Sequence, residues 1–285
     1  MKFYIVDVFA EEKYQGNELL VVIPDRALSD REQEQIAREI NFSETAFILS
    51  GKRENGGYDV RIWMPRGGEV PFAGHPTLGT AFIIHRFLEG GQGDRVVLNL
   101  KAGQIPVEIR GNTLCMRQNP PVFGETVTRE EIAEIYGIAP DDIRADLPVQ
   151  WVSTGLEAVL IPLKSREVLS RLVCSREKFR AYLRRHPENE CSHLFFTETA
   201  PGVFAARNLM EDYFEDPATG SANGDLACYM LEHDYFGSQD IRYTVYQGED
   251  MGRPSRLDIR AARDGDRWTV EVGGGCYLVV EGDWK

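Results

Sequence analysis

The sequence contains no long hydrophobic run. None of its stretches reaches the roughly eighteen apolar residues that a membrane-spanning helix needs, and its first residues, MKFYIVDVFAEEKY, turn acidic too soon for a signal peptide. With 42% hydrophobic and 27% charged residues, the composition is that of an ordinary soluble protein. We therefore expect a cytoplasmic location and no association with membranes.

The sequence also has few of the residues that bind metals or form disulfides. Its five cysteines are scattered and include no CxxC pair, which favours reduced thiols in a cytosol over disulfides or a zinc site. Its five histidines show neither HxxxH nor HExxH spacing. No glycine-rich loop ends in Lys followed by Ser or Thr, which excludes a phosphate-binding P-loop. We expect no bound metal.

Basic residues are outnumbered by acidic ones. The 32 Lys and Arg residues against 45 Asp and Glu residues give a formal net charge of −13 at pH 7. Such a charge makes nucleic acids and acidic membrane surfaces poor partners. A small anionic substrate stays compatible with it, because a local pocket can oppose the overall field. The expected partner is a small anionic metabolite, which this composition allows.

The chain carries one pattern twice. Positions match at an offset of 146 residues: Glu44 with Glu190, Tyr58 with Phe204, Arg61 with Arg207, Met64 with Met210 and Gly74 with Gly220. An ancient duplication explains these matches, and two unrelated halves of similar composition are the alternative. At 285 residues the chain is also longer than most single cores. We expect an N-terminal repeat over residues 1–119 and a C-terminal repeat over residues 120–285.

The predicted elements are many short strands and one long apolar helix in each half. The helices lie in PTLGTAFIIHRFL and SANGDLACYML, and a helix that is apolar on most faces is a buried helix. Capping boxes at Ser29 with Glu32 and at Thr128 with Glu131 predict the starts of two further helices. The fold class is therefore α+β, with two pseudo-symmetric domains that each wrap a barrel-like strand layer around a central helix.

The boundary between the repeats is expected in the polar stretch RQNPPVFGETVTRE, residues 117–130. The last strand, about residues 276–285, is expected to return to the first repeat. We place the active-site cleft between the two domains.

Each apolar helix is preceded by a glycine, Gly74 in one half and Gly220 in the other. The start of a buried helix is electropositive and has amide groups without intrahelical partners. A carboxylate or phosphate bound there satisfies both conditions, and a glycine lets it approach the backbone. The alternative is that each glycine only shapes the loop that enters the helix. Two such motifs at equivalent places favour a shared anion site.

Four polar residues near these helix starts are candidates for chemistry. Glu44 is either a solvated edge residue or a partly buried acid/base, because its flanks are apolar. His75 could donate to a bound carboxylate or carry a proton. For Asp216, capping the helix or turn is at least as good an interpretation as catalysis. Ser221 either caps the helix or binds the ligand.

The stretches SETAF, EVPFAGHPTLGTA, STG before an apolar strand, and DPATGSANG occur in this order along nearly the whole chain. Together they resemble the phenazine-biosynthesis isomerase-like (PhzF-like) family. The resemblance implies the duplicated fold of diaminopimelate epimerase and proline racemase. It also implies an isomerase without metal or organic cofactor, since the family's characterised member moves a double bond in a dihydro-hydroxyanthranilic acid by proton transfer.

The resemblance implies a role for each candidate residue. The acid/base is Glu44, the catalytic set also includes His75 and Asp216, and the substrate is bound by Gly74, Gly220 and Ser221. A homodimer is expected on the same ground.

The resemblance also suggests two alternatives. The related racemases use a cysteine directly before each helix-start glycine, and here those positions are Ala73 and Thr219. This difference disfavours an amino-acid epimerase or racemase. A non-catalytic metabolite-binding protein is the other alternative.

Overall fold

The computed structural model describes residues 1–187, 191–209 and 215–285, which form two compact units. The first unit comprises Met1–Arg117 together with Gly273–Lys285, and the second comprises Gln118–Val272. The repeat matches at Glu190 and Met210 lie outside the described residues. Over the described ranges, no helix is both long and apolar enough to cross a membrane.

The first unit contains two helices and nine strands. These elements are β1 (Lys2–Val8), β2 (Asn17–Ile23), α1 (Asp30–Ile40), β3 (Thr45–Ile48), β4 (Tyr58–Met64), β5 (Gly68–Val70), α2 (Gly74–Ile83), β6 (Arg95–Leu100), β7 (Gly103–Arg110), β8 (Thr113–Arg117) and the last part of β17 (Arg267–Asp283). The end of α2 continues into one π-helical turn, Ile84–Leu88. Ser29 forms the predicted capping box with Glu32 at the start of α1.

Eight of these strands close into a barrel. The pairs β1–β2, β3–β4, β6–β7 and β7–β8 are antiparallel, whereas β2–β3 and β4–β6 are parallel. Strand β17 pairs with both β1 and β8, and this closes the eight-stranded ring. The register with β1 runs from Lys2 opposite Asp283 to Val8 opposite Cys276. The C-terminal strand is therefore part of the first unit's barrel.

The second unit repeats this arrangement with longer connections. Its elements are β9 (Val122–Val127), α3 (Arg129–Tyr136), β10 (Val149–Ser153), β11 (Glu157–Pro162), α4 (Arg166–Ser170), α5 (Arg176–Leu183), β12 (Ser192–Ala200), β13 (Val203–Leu209), β14 (Glu215–Asp216), α6 (Gly220–Glu232), β15 (Asp240–Gln247), β16 (Ser255–Asp264) and the first part of β17. The order of pairing is β9–β10–β11–β12–β13–β15–β16.

The two units share one topology. Parallel strands need a crossover connection, and it occurs at the same two places in each unit. In the first unit α1 joins the parallel pair β2–β3 and α2 joins the parallel pair β4–β6. In the second unit α4 and α5 join β11–β12, and α6 joins β13–β15. The predicted α+β class with two pseudo-symmetric domains is confirmed.

A repeated ion pair marks the same symmetry. Arg61 on β4 donates from Nε and Nη2 to the two carboxylate oxygens of Glu69, at 2.9 and 2.8 Å. Arg207 on β13 makes the same two bonds to Glu215, also at 2.9 and 2.8 Å. Both arginines are largely buried, and bidentate pairs of this kind fix geometry as well as charge. Each pair holds the short strand, β5 or β14, that leads into the central helix.

The central helices are buried. Every residue of α2 except Phe82 is buried, and the helix contacts β1, β2, β3, β6, β7 and β8. Helix α6 is buried from Ala222 to Leu231 and contacts β10, β11 and β16. The interior of an eight-stranded barrel is only wide enough for its own side chains or one inserted element. Small residues such as Gly79 and Ala227 let each helix fit.

The stretch RQNPPVFGETVTRE, in which the sequence predicts the boundary between the repeats, contains the division between the two units and is itself structured. The division between the units falls at its start, at Arg117 and Gln118, and the stretch itself forms β9 and enters α3. A glycine makes this strand possible, because a Cβ at Gly124 would lie 2.6 Å from a ring carbon of Trp151. Thr128 accepts from the Glu131 amide and caps α3 as predicted.

The closing strand supplies a test of the barrel. A Cβ at Gly275 would lie 2.4 Å from the Ala10 carbonyl oxygen, a backbone atom. We expect Gly275→Ala to lower the free energy of unfolding by about 1–3 kcal/mol, because the strand must shift to relieve the overlap. The control is Gly51→Ala, where no described atom lies within 4 Å of the added Cβ and the change should stay below about 0.5 kcal/mol. Urea unfolding of both variants measures this, and equal stabilities would contradict the packing at Gly275.

Candidate active site

Glu44 and His75 lie together in the first unit. Helix α1 ends at Asn41, which adopts a left-handed conformation with φ of 56°, and the buried strand β3 begins directly after Glu44. His75 is the second residue of α2. Glu44 Oε2 lies 3.6 Å from His75 Nε2, and the two side chains are 17% and 5% exposed. This separation is longer than a hydrogen bond, so the two groups face each other across a narrow gap.

The imidazole of His75 is neutral. Burial lowers the pKa of His75 to about 3, and a hydrogen bond to the backbone of Glu18 opposes only part of this shift. Because Nε2 is buried without a hydrogen-bond partner among the described residues, the bond to Glu18 comes from Nδ1. A neutral imidazole that donates from Nδ1 has a lone pair on Nε2. That lone pair points toward Glu44, and a donor placed between them would satisfy it.

The start of α2 leaves two amide groups outside the helix's own hydrogen bonds. Its N-cap residue is Ala73, and no described side chain caps the helix or places a negative charge in its first turn. The Thr77 amide and hydroxyl both donate to the Ala73 carbonyl, at 3.2 and 2.7 Å. Pro76 has no N–H group, so the amides ahead of Thr77 belong to Gly74 and His75. This end of the helix is electropositive and suited to an anion.

Gly79 sets how closely α2 approaches the strands. It lies one turn after His75 and therefore on the same face of the helix. A Cβ at Gly79 would lie 2.6 Å from Leu19 Cδ2 and 2.8 Å from Val8 Cγ2. The glycine therefore allows α2 to lie against β1 and β2, and this brings His75 within reach of the Glu18 backbone. Its role is visible in the sequence only as one small residue in PTLGTA.

In the second unit, Asp216 fixes the turn before α6. Its Oδ2 accepts a hydrogen bond of 2.6 Å from the hydroxyl of Thr219, the N-cap residue. Gln247 donates from Nε2 to the Asp216 carbonyl at 2.7 Å, and its Oε1 accepts from Asn223 Nδ2 at 3.0 Å. This geometry agrees with the capping interpretation that the sequence left open for Asp216. Sequence reasoning missed Gln247, which comes 31 residues later along the chain.

Gly220 and Ser221 begin α6, and Gly220 is buried while Ser221 is partly exposed. No described side chain caps this helix start either, and its first turn has no acidic residue. The Asn223 amide closes the first helical bond to the Thr219 carbonyl at 3.1 Å. The Gly220 carbonyl accepts from Gln118 Nε2 at 2.8 Å. The first amides of α6 therefore form a second candidate site for an anion.

Cysteines take no part in either helix start. The N-cap positions of α2 and α6 are Ala73 and Thr219. Cys228 lies in the middle of α6 and Cys276 in β17, and burial raises the pKa of both thiols. Both are therefore protonated and poor bases. Among the described residues, no three His, Cys, Asp or Glu side chains are grouped to hold a metal ion.

The neutral His75 predicts a specific pH dependence of stability. An unfolded histidine has a pKa of 6.5, whereas folded His75 takes up no proton until about pH 3. The unfolded state therefore binds more protons below pH 6.5, and folding stability falls as the pH falls. From about pH 7.5 to about pH 5.5, His75 should account for a loss of about 1.4 kcal/mol. Urea unfolding should show this loss in the wild type and not in His75→Gln. Equal losses in the two proteins would show that His75 titrates normally.

Known proteins are similar to this chain in sequence and in fold. The chain is 31% identical over 300 residues to a trans-2,3-dihydro-3-hydroxyanthranilate isomerase of Pseudomonas aeruginosa, and the match covers 99% of this chain and 98% of that one. A phenazine biosynthesis protein of the PhzF family from Bacillus anthracis superposes with a TM-score of 0.87, at 26% identity over 99% of this chain and 98% of the other.

A more distant likeness concerns the fold alone. A probable proline racemase from Agrobacterium radiobacter superposes with a TM-score of 0.66 at 11% identity, over all of this chain and 92% of that one. The resemblance found in the sequence motifs is thereby confirmed. Because the family described as phenazine biosynthesis-like protein matches residues 6–282, the chain belongs to the PhzC–PhzF family.

Proposed function

We propose that the protein is an isomerase that moves a proton, and with it a double bond, in a small carboxylate-bearing metabolite without a cofactor. The observation that carries the proposal is the partly buried Glu44 carboxyl group facing the neutral imidazole of His75 at 3.6 Å. Relatives of this chain are named isomerases, one of them acting on trans-2,3-dihydro-3-hydroxyanthranilate. That relative guides the choice of a first substrate to test.

In the proposed reaction Glu44 is the acid/base. It takes a proton from one carbon of the substrate, and the electron pair of that C–H bond forms a new C=C bond. The electron pair of the former double bond then takes the proton from Glu44 and forms a new C–H bond at another carbon. Atoms and charge balance with one carboxyl group, so no second base is needed. Carbon acids release protons slowly, which requires a base held within hydrogen-bond reach.

His75 assists without ionising. Its Nε2 lone pair accepts a hydrogen bond from a substrate donor, or from the Glu44 carboxyl group while that group carries the proton. A neutral imidazole leaves the carboxyl group free to cycle between its two states, whereas a fixed positive charge at this distance would favour the ionised form.

The substrate carboxylate is bound by helix-start amides in this proposal. The Gly74 and His75 amides at α2 and the Gly220 and Ser221 amides at α6 offer hydrogen bonds at electropositive ends. Asp216 orients the substrate carboxylate indirectly, because its hydrogen bond to Thr219 fixes the turn before α6. A homodimer, expected from the family, is tested by light scattering.

An epimerase and a non-catalytic binding protein are the alternatives. The N-cap residues Ala73 and Thr219 carry no thiol, which argues against inversion by two cysteines on opposite faces. Incubation in heavy water separates the three functions. An isomerase introduces deuterium and shifts the absorbance of trans-2,3-dihydro-3-hydroxyanthranilate. An epimerase acts on chiral amino acids with a change in optical rotation, and a binding protein does neither.

Glu44→Gln tests the acid/base assignment. Glutamine keeps the shape of the side chain but cannot carry the proton. Since positioned acid/base catalysis contributes about 10²–10⁴-fold, kcat should fall by at least about 100-fold, while KM changes little. The measurement is the initial rate with trans-2,3-dihydro-3-hydroxyanthranilate, followed by absorbance and by deuterium uptake.

Asp216→Asn is the matched comparison. An amide can still accept from the Thr219 hydroxyl, so this variant should lose much less activity than Glu44→Gln. Near-normal turnover of Glu44→Gln together with loss of turnover in Asp216→Asn would move the acid/base role to Asp216.

A further inference from the structure

A chain of buried polar groups lies behind the start of α6, within the second unit. Gln118 Nε2 donates to the Gly220 carbonyl at 2.8 Å, and Thr154 Oγ1 lies 2.5 Å from Gln118 Oε1. The same Thr154 oxygen lies 2.7 Å from Asp225 Oδ1, and the Thr154 amide donates to this oxygen at 2.7 Å. Thr154 is 5% exposed and Asp225 is fully buried. These contacts link Asp225 to Gly220 through Thr154 and Gln118.

The number of hydrogens available to these four groups fixes which group donates in each hydrogen bond. The Gly220 carbonyl can only accept, so Gln118 must present its amide nitrogen there and its oxygen to Thr154. The Thr154 hydroxyl has one hydrogen, and the Gln118 oxygen takes it. The remaining contact between Thr154 Oγ1 and Asp225 Oδ1 then needs a second hydrogen. Only Asp225 can supply it, and it does so as a carboxylic acid.

The surroundings of Asp225 agree with this count. Its Oδ2 is buried and has no hydrogen-bond partner among the described residues, a position that a charged oxygen occupies only at high cost. Burial raises the pKa of Asp225 well above its ordinary value, and the negative charge of Glu157 adds to the rise, while the hydrogen bond from the Thr154 amide opposes it. The neighbouring Cys191 and Cys228 thiols are also neutral, because burial raises the pKa of each.

We propose that Asp225 is a neutral carboxylic acid that positions the start of α6, through Thr154 and Gln118, for binding the substrate carboxylate. This inference rests on the function proposed above and assigns a positioning role to three residues. The acid donates to Thr154, Thr154 donates to Gln118, and Gln118 donates to the Gly220 carbonyl. The peptide that carries the Ser221 amide is thereby held in one orientation.

The neutral state matters for the anion as well as for the hydrogen bonds. Five residues separate Gly220 from Asp225, which is about 7–8 Å along a helix. A carboxylate at that distance inside the protein would repel a bound anion and weaken the electropositive helix start. A carboxylic acid provides the same support without the charge.

Gly224 makes room for this arrangement. A Cβ at Gly224 would lie 1.7 Å from Gln118 Oε1 and 2.3 Å from Gln118 Cδ. The absence of a side chain lets the Gln118 amide lie directly against α6 at Gly224. Gly224→Ala should therefore displace Gln118 and break its hydrogen bond to the Gly220 carbonyl.

Infrared spectroscopy tests the protonation without any substrate. The difference spectrum of wild type minus Asp225→Asn at neutral pH should contain the C=O band of a protonated carboxylic acid, shifted in heavy water. The control is Glu157→Gln, which removes an exposed carboxylate nearby and should leave that band in place. Thr154→Val should shift the band, because it removes the hydroxyl that accepts from the acid. A difference spectrum without this band would overturn the proposal.

Thr154 variants test the positioning. Thr154→Val keeps the shape of the side chain and breaks the chain of hydrogen bonds, whereas Thr154→Ser keeps the hydroxyl. With trans-2,3-dihydro-3-hydroxyanthranilate, KM should rise about three- to tenfold in the valine variant, with kcat nearly unchanged and the serine variant close to wild type. The control is Thr197→Val, a buried threonine on β12, which should lose stability without a change in KM.

Hydrogen exchange tests the positioning role of Asp225 independently of whether the protein is an isomerase. Amides of residues 219–222 should exchange faster in Thr154→Val than in Thr154→Ser or Thr197→Val, with no ligand present. Faster exchange and the acid band in a protein that does not turn over trans-2,3-dihydro-3-hydroxyanthranilate would support the positioning chain and count against that substrate. Unchanged exchange, or unchanged KM in an active enzyme, would overturn the positioning role.

Discussion

The burial of an entire helix inside a layer of strands is the constraint on which this structure depends. A helix on a surface can pass its first amide groups to water, but α2 and α6 are buried from their first residue. Their amides need partners at an end that is already electropositive. Neither start has a side-chain cap among the described residues. The proposed function assigns a bound anion to these amides, and under that proposal the constraint that shapes the fold also creates the binding site.

The entry into each helix is held rigidly by side chains outside it. The bidentate pairs Arg61–Glu69 and Arg207–Glu215 hold β5 and β14 just before the two glycines. A helix start that binds a small anion must be held to within a fraction of an ångström, because an amide that drifts loses its hydrogen bond. The conservation of this pair between two otherwise diverged halves of one chain agrees with that requirement.

The sequence predicted the parts of this molecule that are local. The buried helices follow from their apolar faces, the caps at Ser29 and Thr128 from their spacing, and Glu44 and His75 from motifs of a few residues. The last strand, expected to return to the first half, pairs there with β1 and β8. Strand β9 was missed because its polar residues, with Gly124 under Trp151, conceal the alternation of a strand. The short helices α4 and α5 have no strong periodic signal and were also missed.

Contacts between distant segments could not be predicted. Gln118 and Gly220 are 102 residues apart, and Thr154 and Asp225 are 71 apart, so no local pattern indicates that they meet. Gln247 reaches Asp216 across 31 residues for the same reason. An aspartate within the apolar run of α6 was the one visible anomaly. Nothing in a single sequence distinguishes such a residue from a chance polar substitution until its partners are known.

The two halves meet the same electrostatic requirement with different residues. At the repeat offset of 146, Asp225 corresponds to Gly79, so one position serves two purposes. In the first half the glycine lets α2 approach its strands, and a neutral His75 stands in the first turn. In the second half the position carries an acid, and the proposed proton on Asp225 removes its charge. Burial favours the uncharged form of both side chains, since it lowers the pKa of His75 and raises the pKa of Asp225. The two halves share one geometry, and desolvation lets the residues behind each helix start differ.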